Sequence, residues 1–213
     1  MPVECWCAPQ VFLATVDDDV IVLDLESDRY TCLLEAAKVI RIEPQGRIIL
    51  EAREIEADLL EVGIIATVRP EQDRPLLSPP RRQATVCERP GSREIFDAAL
   101  SMSVGSLIFR GKTLAELVRY RPAQPESTTA ATLEELVGSA RKARSWIPFE
   151  GECLKRSFLL KRFLASRGFA ADWVFGVRTW PFAAHCWLQI DDLVVGDRLE
   201  RVGRFTPIMR IQP

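Results

Sequence analysis

Apolar residues in the first third of the chain come in short runs broken by charged turns. Val11 to Val16, Val20 to Leu25 and Tyr30 to Leu33 are separated by Asp17-Asp18-Asp19 and Glu26-Ser27-Asp28, which predicts three short strands in a meander. Leu33 to Ile40 reads as a short helix. Ile55, Leu59, Val62 and Ile65 then recur near helical spacing, with Glu54, Glu56, Asp58 and Glu61 on the other face, so a second, clearer helix is expected there. Together these make a small α+β unit ending near Thr67 or Val68.

Five of the fourteen prolines (70, 75, 79, 80 and 90) follow. Proline lacks an amide donor and restricts the residue before it, so 70–90 reads as a linker or extended connection. Beyond it, 92–120 reads as helical, 122–129 as a loop, and Leu133 to Ser145 as a helix stopped by Pro148. Cys153 to Arg167 is a further helix closed by Gly168, the residue type expected just past a C-terminus. The period then changes to strands: Asp172 to Val177, His185 to Ile190, Leu193 to Asp197 and Ile208 to Ile211. The expected class is α+β, with domains over 1–69 and 91–213.

The composition is that of a core-forming globular chain: 213 residues, 47% hydrophobic and 27% charged. No apolar run approaches the ~18–20 residues of a bilayer span, and no signal-peptide pattern opens the chain, so a cytoplasmic address is expected. Net charge is −2, but it is unevenly spread. Residues 1–69 carry 14 acidic against 6 basic side chains, or −8, leaving +6 for the rest. An acidic first unit argues against a winged-helix DNA binder, whose affinity would come from basic groups displacing counterions. The six cysteines (5, 7, 32, 87, 153 and 186) form no CxxC pair or Cys/His cluster, which argues against a zinc site. His185 is the sole histidine, so imidazole chemistry must use it.

Cys153 opens a helix, where free amides and the macrodipole favour a thiolate. Glu150 and Glu152 oppose that locally, so His185 must supply much of the activation. Cys186 adjoins the histidine but lies on the opposite, apolar face of the strand with Leu188 and Ile190, and reads as core. Asp197 follows His185 with Asp191 midway between them. A hairpin with an odd-numbered loop centred on Asp191 would set the two directly cross-strand. A two-residue Asp191-Asp192 loop would instead pair His185 with Arg198 and turn Asp197 away. Each residue alone also has an ordinary structural reading, as a buried helical cysteine, a strand histidine or a turn aspartate. Their joint order points to a thiol nucleophile, its base and the group that orients the base.

The segment Cys153-Leu-Lys-Arg-Ser-Phe-Leu-Leu, Ser166-Arg-Gly168, Val174-Phe-Gly176-Val-Arg178 and Pro181-Phe-Ala-Ala-His185-Cys-Trp187, with Asp197 and Phe205-Thr-Pro207-Ile-Met-Arg-Ile211, resembles the B proteins of lasso-peptide biosynthesis. These are leader peptidases with a transglutaminase-like, papain-related fold. The resemblance implies a Cys153–His185–Asp197 triad that cuts a ribosomal precursor at the leader–core junction. It also implies an oxyanion held by the Cys153 amide and a second donor. The segment 1–69 resembles the RiPP recognition element, a winged-helix-like domain of three strands and three helices. That resemblance implies a leader added as a strand beside residues 28–33, in a groove against 54–63, with Tyr30, Cys32, Ile55, Leu59 and Val62 as groove candidates. Ile55 and Leu59 read equally as core, and the middle helix, over 41–50, is weakened by Pro44 and Gly46.

The partners implied are the precursor peptide and an asparagine synthetase-like cyclase that closes the macrolactam with ATP. No Gly-rich phosphate loop occurs, so no cofactor is assigned to this chain, and ATP belongs to the cyclase or the complex. Two rival readings are an acyl transferase on the same triad and a non-catalytic precursor-binding adaptor. Leu107 to Phe109, Trp173 and Trp180 read either as a substrate channel or partner surface, or as core.

Overall fold

A computed structural model describes residues 2–71, 74, 78–121, 130–147 and 152–213. The loop expected over 122–129, the stop at Pro148 and Glu150 lie outside them. The chain divides into two compact units, one of residues 1–77 with 175–184 and 205–210, the other of residues 78–174 with 185–204 and 211–213.

In the first unit, β1 (Val3–Cys7) precedes the expected meander of β2 (Val11–Val16), β3 (Asp19–Asp24) and β4 (Arg29–Leu33). The meander pairs Val16 with Asp19 and Asp24 with Arg29, leaving β4 at a sheet edge. Asp17 and Asp28 take positive φ at the two turns, a conformation that Asp tolerates better than most side chains.

Two expectations fail here. The helix over 33–40 is one 3-10 turn, Ala36–Lys38, and the middle helix over 41–50 is a hairpin of β5 (Ile40–Ile42) and β6 (Arg47–Leu50). Pro44 and Gly46, the latter at φ +78°, sit in its turn, and the Ile-rich flanks alternate as strands rather than with helical period. These strands join β1 and β7 (Ile65–Ala66) in a second sheet of order β5-β6-β1-β7. The single α-helix of residues 2–71, α1 (Glu54–Glu61), lies where its periodicity placed it. A core of Cys5, Cys7, Val20, Val22, Ile48, Leu50 and Leu59 lies among these elements.

The second unit contains α2 (Ser92–Phe109), α3 (Leu114–Arg119), α4 (Leu133–Ala143) and α5 (Cys153–Ala165). Thr113 with Glu116, and Thr132 with Glu135, form capping boxes that start α3 and α4. A five-stranded sheet has the order β12 (Thr206–Ile211), β9 (Asp172–Arg178), β10 (Ala183–Ile190), β11 (Leu193–Val195) and β8 (Arg82–Gln83). Thus the Pro-rich connection contributes an edge strand, parallel to β11. Gly138 of α4 packs so close to the Cys87 backbone carbonyl that a Cβ would collide with it.

Candidate functional site

Cys153 is the first residue of α5, with the exposed Glu152 at the cap position in extended conformation. One turn on, Ser157 points inward. Its hydroxyl donates to the Cys153 carbonyl at 2.7 Å, accepts from the indole N–H of buried Trp173 at 2.7 Å, and lies 3.3 Å from the Cys186 sulfur. Helical spacing put Ser157 on the Cys153 face, the one signal for it in the sequence; Trp173 is core with a polar handle.

β10 brings His185, only 3% exposed, to the same place. Its Nε2 lies 2.6 Å from Asp197 Oδ2, and the imidazole is hydrogen-bonded to Cys153. With Nε2–H donating to the carboxylate, Nδ1 is the nitrogen available to the thiol. Trp187 stacks on the imidazole at 6.2 Å between centroids and 27° between planes. Gln189, on the same face, accepts from the Trp187 indole and donates to the Ser78 carbonyl.

Cys186 is buried in the core as expected, 3.3 Å from the Ser157 hydroxyl, and its thiol and amide also bear on the Cys153 thiol. One expectation about this strand needs correcting. The hairpin loop is the two-residue Asp191-Asp192, with Ile190 opposite Leu193 and Leu188 opposite Val195. That parity should have turned Asp197 away. Instead β11 ends at Val195, and Gly196 at φ +74° redirects the chain, which delivers Asp197 to His185. The Arg198 N–H then donates to Asp197 Oδ1 at 2.8 Å and fixes the carboxylate.

The electrostatics follow from these contacts. The Cys153 thiol is held far below its ordinary range, first by the hydrogen bond from the Cys186 thiol. Burial opposes the shift, and His185 and the Cys186 amide add to it. Burial works against a charged His185, but its bonds to Asp197 and Cys153 prevail and raise its pKa. Asp197 is lowered: burial opposes, and the His185 and Arg198 N–H bonds outweigh it. The result favours a thiolate beside an imidazolium, the resting form of an activated thiol nucleophile. Among the described residues no group of three or more His, Cys, Asp or Glu could hold a metal ion.

The groove candidates do not share one environment. Ile55 and Leu59 pack into the core of the first unit. Val62 caps α1 and is 67% exposed. Tyr30 and Cys32 lie on the edge strand β4, with the Tyr30 ring 5.6 Å from that of Phe182. Of the channel or partner-surface candidates, Trp173 is buried, Trp180 and Leu107 are exposed, and Phe109 packs on Phe158.

A helix-borne thiol against a largely antiparallel sheet, with imidazole on one strand and a carboxylate just past the end of the next, is the architecture of transglutaminase-like thiol centres. The model of the transglutaminase-like superfamily matches residues 98–210, more than half of the chain, and this protein belongs to that superfamily. The chain is also 45% identical over 49 residues to the Microcin J25-processing protein McjB of Escherichia coli. That stretch is 23% of this chain and 24% of the relative, so the match spans about a quarter of McjB. Both findings support the resemblance to lasso-peptide B proteins. No solved structure matches the chain.

Proposed function

We propose that this protein is a cysteine peptidase that removes the leader from a ribosomally made precursor peptide in lasso-peptide biosynthesis. The observation that carries the reading is the continuous hydrogen-bonded line from Asp197 through His185 to the Cys153 sulfur. The Cys153 thiolate attacks the carbonyl at the leader–core junction, and the His185 imidazolium protonates the leaving amine. The core is released and the leader remains as a thioester. His185, now neutral, takes a proton from water as the water attacks the thioester, which frees the leader's C-terminal carboxyl group and restores the thiolate–imidazolium pair. Asp197 keeps the imidazole in the tautomer that both steps need.

The leader docks on the first unit, as a strand along the edge of β4 beside Tyr30 and Cys32. Holding it there raises its effective concentration at the thiolate. The released core passes to a partner cyclase similar to asparagine synthetase, and ATP is used in that step or by the complex.

The test is incubation of the purified protein with a precursor peptide, read by mass spectrometry. Two fragments whose masses sum to the precursor plus one water, absent with Cys153→Ala, support hydrolysis. An amide adduct of the leader would mean acyl transfer. Processing that survives Cys153→Ala in a reconstituted system would leave only the adaptor role.

A further inference from the structure

The cleft that holds Cys153 has a charge unlike that of the chain as a whole. It encloses about 850 Å³ and is lined by Arg141, Arg144, Arg156, Arg198, Arg201 and Arg204. Among the described residues, the carboxylates that line it are Asp197 and Glu200. Asp197 is engaged by His185, and Arg141 is engaged by Glu88 at 2.8 Å. The arginines arrive from separate elements: α4 and the turn after it, the first turn of α5, and the segment 198–204 beyond Asp197. Arg144 and Arg156 bear on one another as like charges, and Arg144 is also partly buried. Arg141, Arg198, Arg201 and Arg204 are exposed and Arg144 and Arg156 half-buried, and their convergence on one concave site beside a nucleophile raises the local positive potential that an anionic ligand would meet. Met102, Val137, Leu160 and Leu188 supply apolar wall between the charges. A mixed lining of this kind suits a polypeptide better than a bare phosphate.

We propose that this cleft selects an acidic peptide segment, its Asp or Glu side chains gripped by the arginines while the adjoining backbone passes Cys153. The guanidinium fork matches a carboxylate in two parallel hydrogen bonds, so the arginines set which sequence dwells at the thiolate. The proposal rests on the peptidase reading for its catalytic consequence, but the binding itself does not.

The test uses the full chain and three capped decapeptides of alternating Glu and Ala, Gln and Ala, or Lys and Ala, each carrying a neutral dye. Binding is followed by fluorescence anisotropy, and occupancy of the cleft by protection of Cys153 from iodoacetamide. The Glu peptide should bind at least tenfold tighter than the Gln peptide, weaken as salt is raised, and slow Cys153 alkylation. Protection, taken as the ratio with and without peptide for each variant, should fall at least tenfold in Arg144→Gln/Arg156→Gln and in Arg198→Gln/Arg204→Gln. The second pair is exposed, so the test stands even if the first pair perturbs folding. Equal binding of the Glu and Gln peptides would overturn the proposal. So would protection by tripolyphosphate with none by the Glu peptide, which would mark a phosphate site. A protein that binds the Glu peptide but cuts no precursor would retain this inference and lose the peptidase reading; the reverse result would do the opposite.

Discussion

Cys153 is set apart from the other cysteines by what surrounds its sulfur. Burial, with Cys7 and Glu56 nearby, pushes the Cys5 thiol up to about 11, and burial also raises Cys7 and Cys32. The Cys186 thiol is raised chiefly by its bond to Cys153, so it stays protonated and donates. Limiting iodoacetamide at pH 6.5 should therefore label Cys153 first. Its rate should change little between pH 8 and 6, where an ordinary thiol slows about tenfold per unit. A rate that follows the ordinary curve would sink the activated-thiolate reading. If Cys186 holds the thiolate, Cys186→Ala should move the labelling profile up by about one to two pH units. That follows from ~1.5–3 kcal/mol for a hydrogen bond to a charged group. Cys186→Ser, which keeps a donor, should move it less, and identical profiles for the two variants would refute the role.

At Asp197 the sign runs both ways. His185 is raised, so its stabilisation is full below its ordinary pKa and lost as pH rises through the folded value. Asp197 is lowered, so its share is present above the ordinary carboxylate pKa and lost as pH falls through the folded one. Asp197→Asn should thus cost most stability between these limits and converge with wild type at either end of a pH series of thermal unfolding. Peptidase activity should drop by roughly 10⁴-fold, the loss expected when the carboxylate that orients the imidazole is removed.

Between elements, the decisive joint is the end of β11. The hairpin parity was readable from the sequence, and so was its demand for an odd loop. What the sequence did not disclose was that Gly196, at φ +74°, would break the strand one residue before Asp197. A lone glycine carries no sign of which backbone region it occupies. The helix from Cys153 was legible because Gly168 closes it, whereas 92–120, read as helical throughout, is broken between Phe109 and Leu114 into α2 and α3, with Gly111 at φ +74° in the turn. The hairpin over 40–50 was not legible, because short Ile-rich runs fit either period until their partners are known, and here the partner of Ile48 is the distant Cys5 on β1. Gly196→Ala should cost about 1–2 kcal/mol for the left-handed backbone, with the Leu160 side chain yielding to the new methyl. Activity should fall much further, on the order of 10²-fold, because Asp197 is displaced from His185. Gly203→Ala, at φ −62° in the segment beyond, should leave activity near wild type. Equal losses in the two would mean that the turn at 196 does not position the carboxylate.

At the scale of the whole molecule, the charge split and the position of the thiol site were visible in the sequence, but the interleaving of the chain was not. The sequence reads 70–90 as a linker or extended connection between units at 1–69 and 91–213; the first unit also contains residues 175–184 and 205–210, drawn from β9, β10 and β12. Within that unit the Trp180 indole donates to Asp19 at 3.2 Å, and Phe182 packs against Tyr30. Such contacts join opposite ends of the sequence, so no local pattern announces them. A fragment beginning at Ser78 would leave Trp180, Phe182 and the strand ends around them without these neighbours. It should be cleaved within 178–184 by limited proteolysis faster than the whole chain. Residues 1–77 added in trans should restore the protection, and Asp19→Ala with Tyr30→Ala should weaken that rescue. Equal cleavage rates for fragment and whole chain would show that residues 178–184 are ordered without the segment before Ser78.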